Sequence, residues 1–488
     1  MSTRPNIIYI LADDMGYGDV SCLNPESRIR TPNIDRLAAE GVAYRDAHAS
    51  SAVCTPSRYS ILTGRYCWRS SLKEGVGDGY SGPLIERGRV TVASLLRDSG
   101  YRTGAVGKWH LGWTWPRMSE RPDEVDFGRP ILDGPCSVGF EYYFGISASL
   151  DMPPYVYVEN ERVTAAPDRI VPGGTGKLLQ REGPTGADFV HADVLPTLGS
   201  KALEFIERWT EDQRPFFLYL PLTAPHTPIL PSPEFQGRSG TNEYGDFCLQ
   251  IDHLVGQILD ALDRLGVADD TIVMFASDNG SSPNAGFAEL AELGHHPSYV
   301  YRGHKFDIWE GGHRIPLLAR WPAVIGAGGV LDQTVCLSDL LATCAEIVGV
   351  DLPPDAGEDS VSHLGMWTGG TLDPSMREAT IHHSFDGSFA IRRGRWKLEM
   401  CPWSGGREGP RWSDEDRGGL PAIQLYDLDA DIGERRNLQA ERPEVVAELT
   451  ALLTRYVVEG RSTAGPARAV GAVPSADWPH LWWMLRER

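Results

Sequence analysis

The run N-I-I-Y-I-L-A at residues 6–12, followed at once by Asp13-Asp14, decides how this chain is built. It has strand length, and its apolar character is continuous rather than alternating, as in a parallel strand covered on both faces. The same grammar recurs downstream. Residues 102–106 lead into Gly107-Lys108-Trp109-His110, and 216–220 end in Ala224-Pro225-His226-Thr227-Pro228. Residues 271–276 end in Ser277-Asp278-Asn279-Gly280, and 316–319 follow a polar loop at 301–314. Helical signals fall between them: 33–40, opened by Thr31-Pro32 and closed by Gly41, then 92–99, 194–209, 247–265 as the longest, and 338–348. This alternation predicts an α/β fold with a large, mainly parallel central sheet between helices.

Past about residue 375 the texture changes. Short strands with tight turns are expected at 381–385, 389–392, 396–400 and 424–426, and a closing helix at 443–458. The expected division is a catalytic α/β domain over 1–375 and a smaller C-terminal antiparallel sheet plus helix over 376–488. Residues 111–190, rich in Pro, Gly and aromatics, read as long loops around a site. Gly75-x-Gly77-x-Gly79 reads as a flexible surface loop, because no helix and no Lys-Ser/Thr follow to make a phosphate cradle.

Of 488 residues, 66 are acidic and 46 basic, a formal charge of −20. That field sets the chain against nucleic acid and acidic membranes as partners. It also means that an anionic substrate needs a local cluster of cations to reverse the sign. The eight cysteines are scattered without a C-x-x-C pair, which argues against a zinc knuckle or a disulfide scaffold, although one or two bridges stay open. No apolar run reaches membrane-span length. As written the chain carries no secretory leader and reads as cytoplasmic; with a leader removed it would be periplasmic or secreted.

Residues 54–65 read C-T-P-S-R-Y-S-I-L-T-G-R. Pro56 suits a first helical turn and Gly64 a stop, so a short helix over 56–63 is expected, with Cys54 at its amide-rich end. Arg58, four residues on, shares that face and leans back over the cysteine. Asp13-Asp14 and Asp278-Asn279 each follow a buried strand, so both reach one sheet edge. Four such oxygen donors suit a hard cation rather than zinc. Lys108, His110, His226 and Lys305 supply the positive field that the net charge lacks.

The ordered set D-D at 13–14, C-x-P-S-R at 54–58, G-K-W-H at 107–110, P-H at 225–226, S-D-N-G at 277–280 and K…E-G-G-x-R at 305–314 resembles the type I sulfatases of the alkaline phosphatase superfamily. The likeness covers most of residues 5–350. It implies an arylsulfatase-type sulfuric ester hydrolase that cleaves the S–O bonds of sulfate monoesters. It further implies that a formylglycine-generating enzyme converts Cys54 to formylglycine, whose hydrate attacks sulfur on one Ca²⁺ held by Asp13, Asp14, Asp278, Asn279 and residue 54. By the same resemblance Arg58, Lys108 and Lys305 neutralise the sulfate oxygens, and His226, assisted by Lys305, protonates the departing alcohol. His110 then deprotonates the second hydroxyl to expel sulfate.

The substrate is expected to be a small-molecule or saccharide sulfate ester. L-D-M-P-P-Y at 150–155 and D-I-W-E-G-G-H-R at 307–314 resemble carbohydrate-directed members. Asp151, His382 and His383 are candidate sugar contacts, and Trp113, Trp115, Trp309, Trp403 and Trp412 are loop indoles able to stack on rings. Two rivals stand beside this. A phosphonate or phosphate ester hydrolase of the same superfamily tends to replace the second Asp of the first pair and to carry His where Asn279 stands. A non-catalytic sulfated-glycan binding protein predicts binding without turnover. Oligomeric state, a homo-oligomer included, stays open.

Overall fold

The architecture is that of a computed structural model, which describes residues 4–212, 214–370, 376–407, 418–468 and 478–485. Its spine is a ten-stranded sheet. The strands Thr271–Ser277, Asn6–Asp13, Phe216–Pro225, Arg102–Lys108 and Tyr142–Ile146 lie side by side in that order and all run parallel. Leu317–Arg320 adds antiparallel to one side, and Val158–Glu159 and Arg162–Val163 extend the other.

The first strand shows why these segments read as unbroken apolar runs. Ile7, Tyr9 and Leu11 enter one core with the helices Cys54–Thr63, Val92–Asp98 and Leu340–Val348. Ile8, Ile10 and Ala12 enter the other, with Pro32–Ala39, Val194–Thr210 and Glu243–Leu265. A strand in a three-layer sandwich has no solvent face to mark with polar residues. Among the described residues no helix is long and apolar enough to cross a membrane.

The region 111–190 is not only loops. Tyr142–Ile146 is a full member of the parallel sheet, and Pro167–Val171 pairs with Gly183–Gly186 in a separate ribbon. Strands of two to five residues are shorter than the window in which periodicity can be counted, so their pairing was invisible in the sequence.

The C-terminal antiparallel sheet consists of Thr380–His383, Phe389–Arg393, Trp396–Glu399 and Gln424–Asp427, with Pro443–Glu459 packed on it. The expected boundary at 375 lies outside the described residues. What joins this sheet to the rest is charge as well as apolar surface. Glu310 and Asp46 sit buried among Arg314, Arg392 and Lys397, at 2.6 to 3.2 Å in the closest pairs.

A second clasp joins Arg377 to Asp339 through two hydrogen bonds of 2.6 and 2.9 Å, with His363 Nε2 at 3.2 Å. Burial alone would raise the Asp339 carboxyl, but Arg377 and His363 outweigh it and hold it at about 2. A carboxyl with a depressed folded pKa contributes stability above the ordinary carboxylate range and loses it as pH falls through the folded value. Asp339→Asn is therefore expected to remove roughly 2 kcal/mol of the acid-dependent stability lost between about pH 4 and pH 2. Urea midpoints across that range check it; parallel wild-type and variant pH profiles would contradict it.

Candidate active site

Four adjacent parallel strands deliver the site from their carboxyl ends, as open α/β sheets do. Asp13 ends one strand, across a register shift against the neighbouring Phe216–Pro225, and Asp14 turns away in a left-handed conformation at φ 70°. Lys108 ends its strand, and His110 follows at φ 56°. His226 follows Pro225, and Asp278-Asn279 follow Ser277. Non-glycine residues held at positive φ cost energy and gather where a site requires them.

Gly107 is needed for this delivery. Its φ is +137°, and a Cβ there would lie 1.9 Å from the Pro221 carbonyl oxygen on the neighbouring strand. Gly107→Ala is expected to destabilise the protein by about 3 kcal/mol or more and to displace Lys108. A melting curve that matches wild type would contradict this.

Cys54 is the first residue of its helix, two residues earlier than the sequence suggested, and is 2% exposed. Burial pushes its thiol pKa up, against the opposing pull of Lys108 and Lys305, so the sulfur is not a thiolate at neutral pH. Arg58 reaches past it. Its Nε and Nη2 donate to Asp278 Oδ2 at 2.9 and 2.7 Å, and Nη1 donates to the Lys108 carbonyl at 3.0 Å. Lys108 Nζ lies 2.8 Å from Asp13 Oδ2, and Lys305 Nζ 2.6 Å from Asp14 Oδ1. Three buried carboxylates thus face three buried cations. Burial would raise Asp13, but Lys108, His226 and Arg58 hold it far below the ordinary range. Asp278 moves up instead, through burial and the repulsion of Asp13 and Asp14, which Arg58 only partly offsets.

Asp13, Asp14, Asp278 and Asn279 form an all-oxygen donor set fit for a hard divalent cation. Asn279 carries the sign of a missing partner. Its Nδ2 donates to Asp14 Oδ1 at 2.7 Å, while its Oδ1 is buried with no hydrogen bond among the described residues. Asn279-Gly280-Ser281 also spells a glycosylation sequon, but Asn279 is fully buried and cannot carry a glycan in the fold. A second cluster, His48, His313 and His382, does not suit a metal. His313 and His382 stack at 4.1 Å with planes 5° apart, so their in-plane lone pairs run parallel and do not meet at one ion.

The two histidines near the cluster differ. His110 Nε2 donates to the Gly77 carbonyl at 2.8 Å, leaving Nδ1 buried and without a partner among the described residues. Burial, then Lys108, keeps this ring neutral, so Nδ1 is a free proton acceptor. His226 Nδ1 donates to the Thr227 carbonyl at 2.7 Å, and its Nε2 stands 3.7 Å from Asp14 Oδ2. Asp151 lies 3.9 Å from His226 Nδ1, with its Oδ1 buried and unpartnered.

The structure does not bring His382 and His383 to this site. His382 is fully buried, with Nδ1 bonded to the Ala49 carbonyl and Nε2 to Thr380 Oγ1. His383 packs against Phe389 and Trp68. They cannot serve as sugar contacts; their strand instead pins the chain leading to Cys54, since the His383 carbonyl accepts from Ala52 N and Ser51 Oγ. Trp113 and Trp115 pack against each other in the core. Trp309 and Trp403 line a cavity, and Trp412 lies outside the described residues.

Sequence reasoning missed the Gly75–Gly79 loop, which holds His110 through the Gly77 carbonyl and accepts from Trp115 Nε1 at the Gly79 carbonyl. It also missed Ser147, Ser149 and Thr223, whose buried hydroxyls have no hydrogen-bond partner among the described residues.

A protein-family comparison decides the lineage: the family model described as Sulfatase matches residues 5–350. The chain belongs to the sulfatase family. This sulfatase is 36% identical to an N-acetylgalactosamine-6-O-sulfatase of Bacteroides thetaiotaomicron, over 93% of each protein. It is 33% identical to human steryl-sulfatase over 72% of this chain and 68% of that one. It also superposes with a TM-score of 0.80, at 35% identity, on a solved structure from the metabolism of multiple glycosaminoglycans by B. thetaiotaomicron, covering 93% of this chain and 99% of the other. The eight cysteines of this sulfatase are all free.

Proposed function

We propose that this sulfatase hydrolyses sulfate monoesters of sugars, using formylglycine made from Cys54 and one Ca²⁺ held by Asp13, Asp14, Asp278 and Asn279. The observation that carries the proposal is the charge pattern around Cys54. Asp13, Asp14 and Asp278 are balanced by Lys108, Lys305 and Arg58. A dication added to that neutral set leaves two positive charges, enough to attract the monoanionic sulfate ester and to hold the second charge that develops as sulfate forms. This answers how a chain of net charge −20 attracts an anion.

The cation, when bound, supplies the Lewis acidity that activates a nucleophile at position 54 and draws charge from the sulfuryl group. The formylglycine hydrate supplies two hydroxyls on one carbon, one to attack sulfur and one whose deprotonation releases sulfate. The remaining work falls to the chain's own side chains. Arg58, Lys108 and Lys305 are fixed before substrate arrives, so they stabilise developing charge on sulfate oxygens without reorganising. His226, which keeps its Nδ1 proton on the Thr227 carbonyl, must enter this step with a second proton on Nε2, and that proton goes to the departing alcohol, with Lys305 beside it. His110 accepts a proton at its free Nδ1. Asp151 accepts a hydrogen bond from a hydroxyl of the leaving sugar, a role supported by its Oδ1, which is 3.9 Å from His226 Nδ1 and without a hydrogen bond among the described residues.

Asn279 and Asp14 favour sulfate over phosphonate esters, and the 36% identical relative supports a sugar substrate. Side-by-side kinetics on an aryl sulfate, an aryl phosphonate and a panel of sulfated sugars test this. The expected order of kcat/KM is sugar sulfate above aryl sulfate, and both far above phosphonate. A large preference for the phosphonate would overturn it.

A further inference from the structure

We propose that a cavity of about 410 Å³ beside Lys305 is a second saccharide subsite, taking an anionic sugar residue, a uronate or a sulfated pyranose, linked to the sulfated sugar. The proposal rests on the carbohydrate reading of the substrate. Position is the first support. Two walls continue the segments that carry catalytic groups: Pro283 and Asn284 follow Asp278-Asn279 by a few residues, and His304 and Phe306 flank Lys305 directly. Consecutive Cα atoms are about 3.8 Å apart, so this wall begins one residue from the lysine that grips Asp14.

Backbone conformation is the second. Phe306 sits at φ 86°, a region costly for an aromatic residue. It is held there at both ends, its amide donating to the Ala52 carbonyl and its carbonyl accepting from Phe385 N, each at 2.9 Å. The kink allows Lys305 to serve the catalytic cluster while the next side chain lines the cavity.

The chemistry of the lining is the third. Trp309 and Trp403 meet edge to face at 5.2 Å, and Trp403 is only half-buried. Arg302 covers Trp309 at 3.5 Å and stands farther from Trp403, at 5.3 Å, so the half-buried Trp403 is the more open indole to meet the C–H face of a sugar ring. Asp307 is engaged by the His304 amide at 3.1 Å and faces the His304 ring at 3.4 Å. Arg407 differs. It is exposed, lies 4.2 Å over Phe306 and 5.2 Å over Phe385, and has no carboxylate within ion-pair distance among the described residues. In so acidic a protein, an exposed guanidinium lying over two aromatic rings, with no carboxylate in ion-pair distance among the described residues, offers a positive charge to an incoming anion.

The test compares Arg407→Ala and Trp403→Ala with wild type on five substrates. These are a small aryl sulfate, a sulfated monosaccharide, and disaccharides whose second sugar is a uronate, sulfated or neutral. Arg407→Ala is expected to lower kcat/KM about 10- to 100-fold on an anionic disaccharide, mainly through KM, as loss of one charge-assisted contact would. It should leave the aryl sulfate and the monosaccharide unchanged. Whether the uronate or the sulfated arm falls identifies the anion. Trp403→Ala should weaken all three disaccharides alike. No loss on either anionic disaccharide, or an equal loss on the aryl sulfate, would overturn the subsite.

Calorimetric binding of the same disaccharides without their scissile sulfate separates this from the parent reading. A wild type that turns over aryl sulfate but no sugar sulfate defeats the carbohydrate function. Binding of an anionic disaccharide that is unaffected by Arg407→Ala defeats the subsite.

Discussion

Cys54→Ala is expected to lose turnover on every sulfate ester by about 10⁴-fold or more while folding as the wild type does. The two halves of this expectation come from the same surroundings. Cys54 opens a helix whose remaining side chains are all buried, and its sulfur makes no hydrogen bond among the described residues. Removing it takes away one buried atom and breaks no ion pair, which costs about 1 kcal/mol. Around that atom stand Arg58, Lys108 and Lys305, all already aimed and charged, and their value depends on a nucleophile being there. Cys54→Ser is the sharper variant. It keeps an oxygen at position 54 but offers a single hydroxyl, so a sulfated serine has no second hydroxyl through which to release sulfate. At most one turnover per chain is expected, seen as a burst without a steady state. Steady turnover by either variant at more than a tenth of wild type would mean that residue 54 is not the nucleophile.

Asp278→Asn is expected to strike stability and activity together. The carboxylate takes two hydrogen bonds from Arg58 and one from Asp14 N, all buried. An amide leaves the buried guanidinium with only Asp13, 3.6 Å from Nη2, as counter-charge, and weakening such a pair costs up to about 3 kcal/mol. It also removes one charge from the cation site, so turnover should fall by about 10³-fold or more and not recover with added Ca²⁺. Removing the cation from wild type should behave differently. The three carboxylates remain neutralised by Lys108, Lys305 and Arg58, so chelation should abolish activity with only a small shift in melting temperature. Ca²⁺ should then restore activity. A chelated wild type that unfolds would show that the cations do not balance the cluster.

The parallel core was legible because burial on both faces leaves one reading of runs such as 6–12 and 271–276. Asp13-Asp14, Lys108, His226 and Asp278-Asn279 were legible as one cluster because each follows such a run, and strand ends converge at one edge. What failed was whatever depends on pairing between distant short segments. Tyr142–Ile146 becomes a strand only because Arg102–Lys108 lies beside it. Gly77 matters because its carbonyl meets His110, a contact that glycine spacing does not announce. His382 and His383 carry the residue types of a sugar site, but alternation along a buried edge strand turns both rings into packed interior. Arg58 was placed over Cys54 by helical spacing, yet its ends are fixed by Asp278, 220 positions away.

Peptide-mapping mass spectrometry of residue 54, on protein whose specific activity is measured in the same preparation, decides whether Cys54 works as formylglycine. An aldehyde, free or hydrated, is expected at position 54, with activity proportional to its fraction. Fully active protein carrying only the unmodified thiol of Cys54 would contradict it.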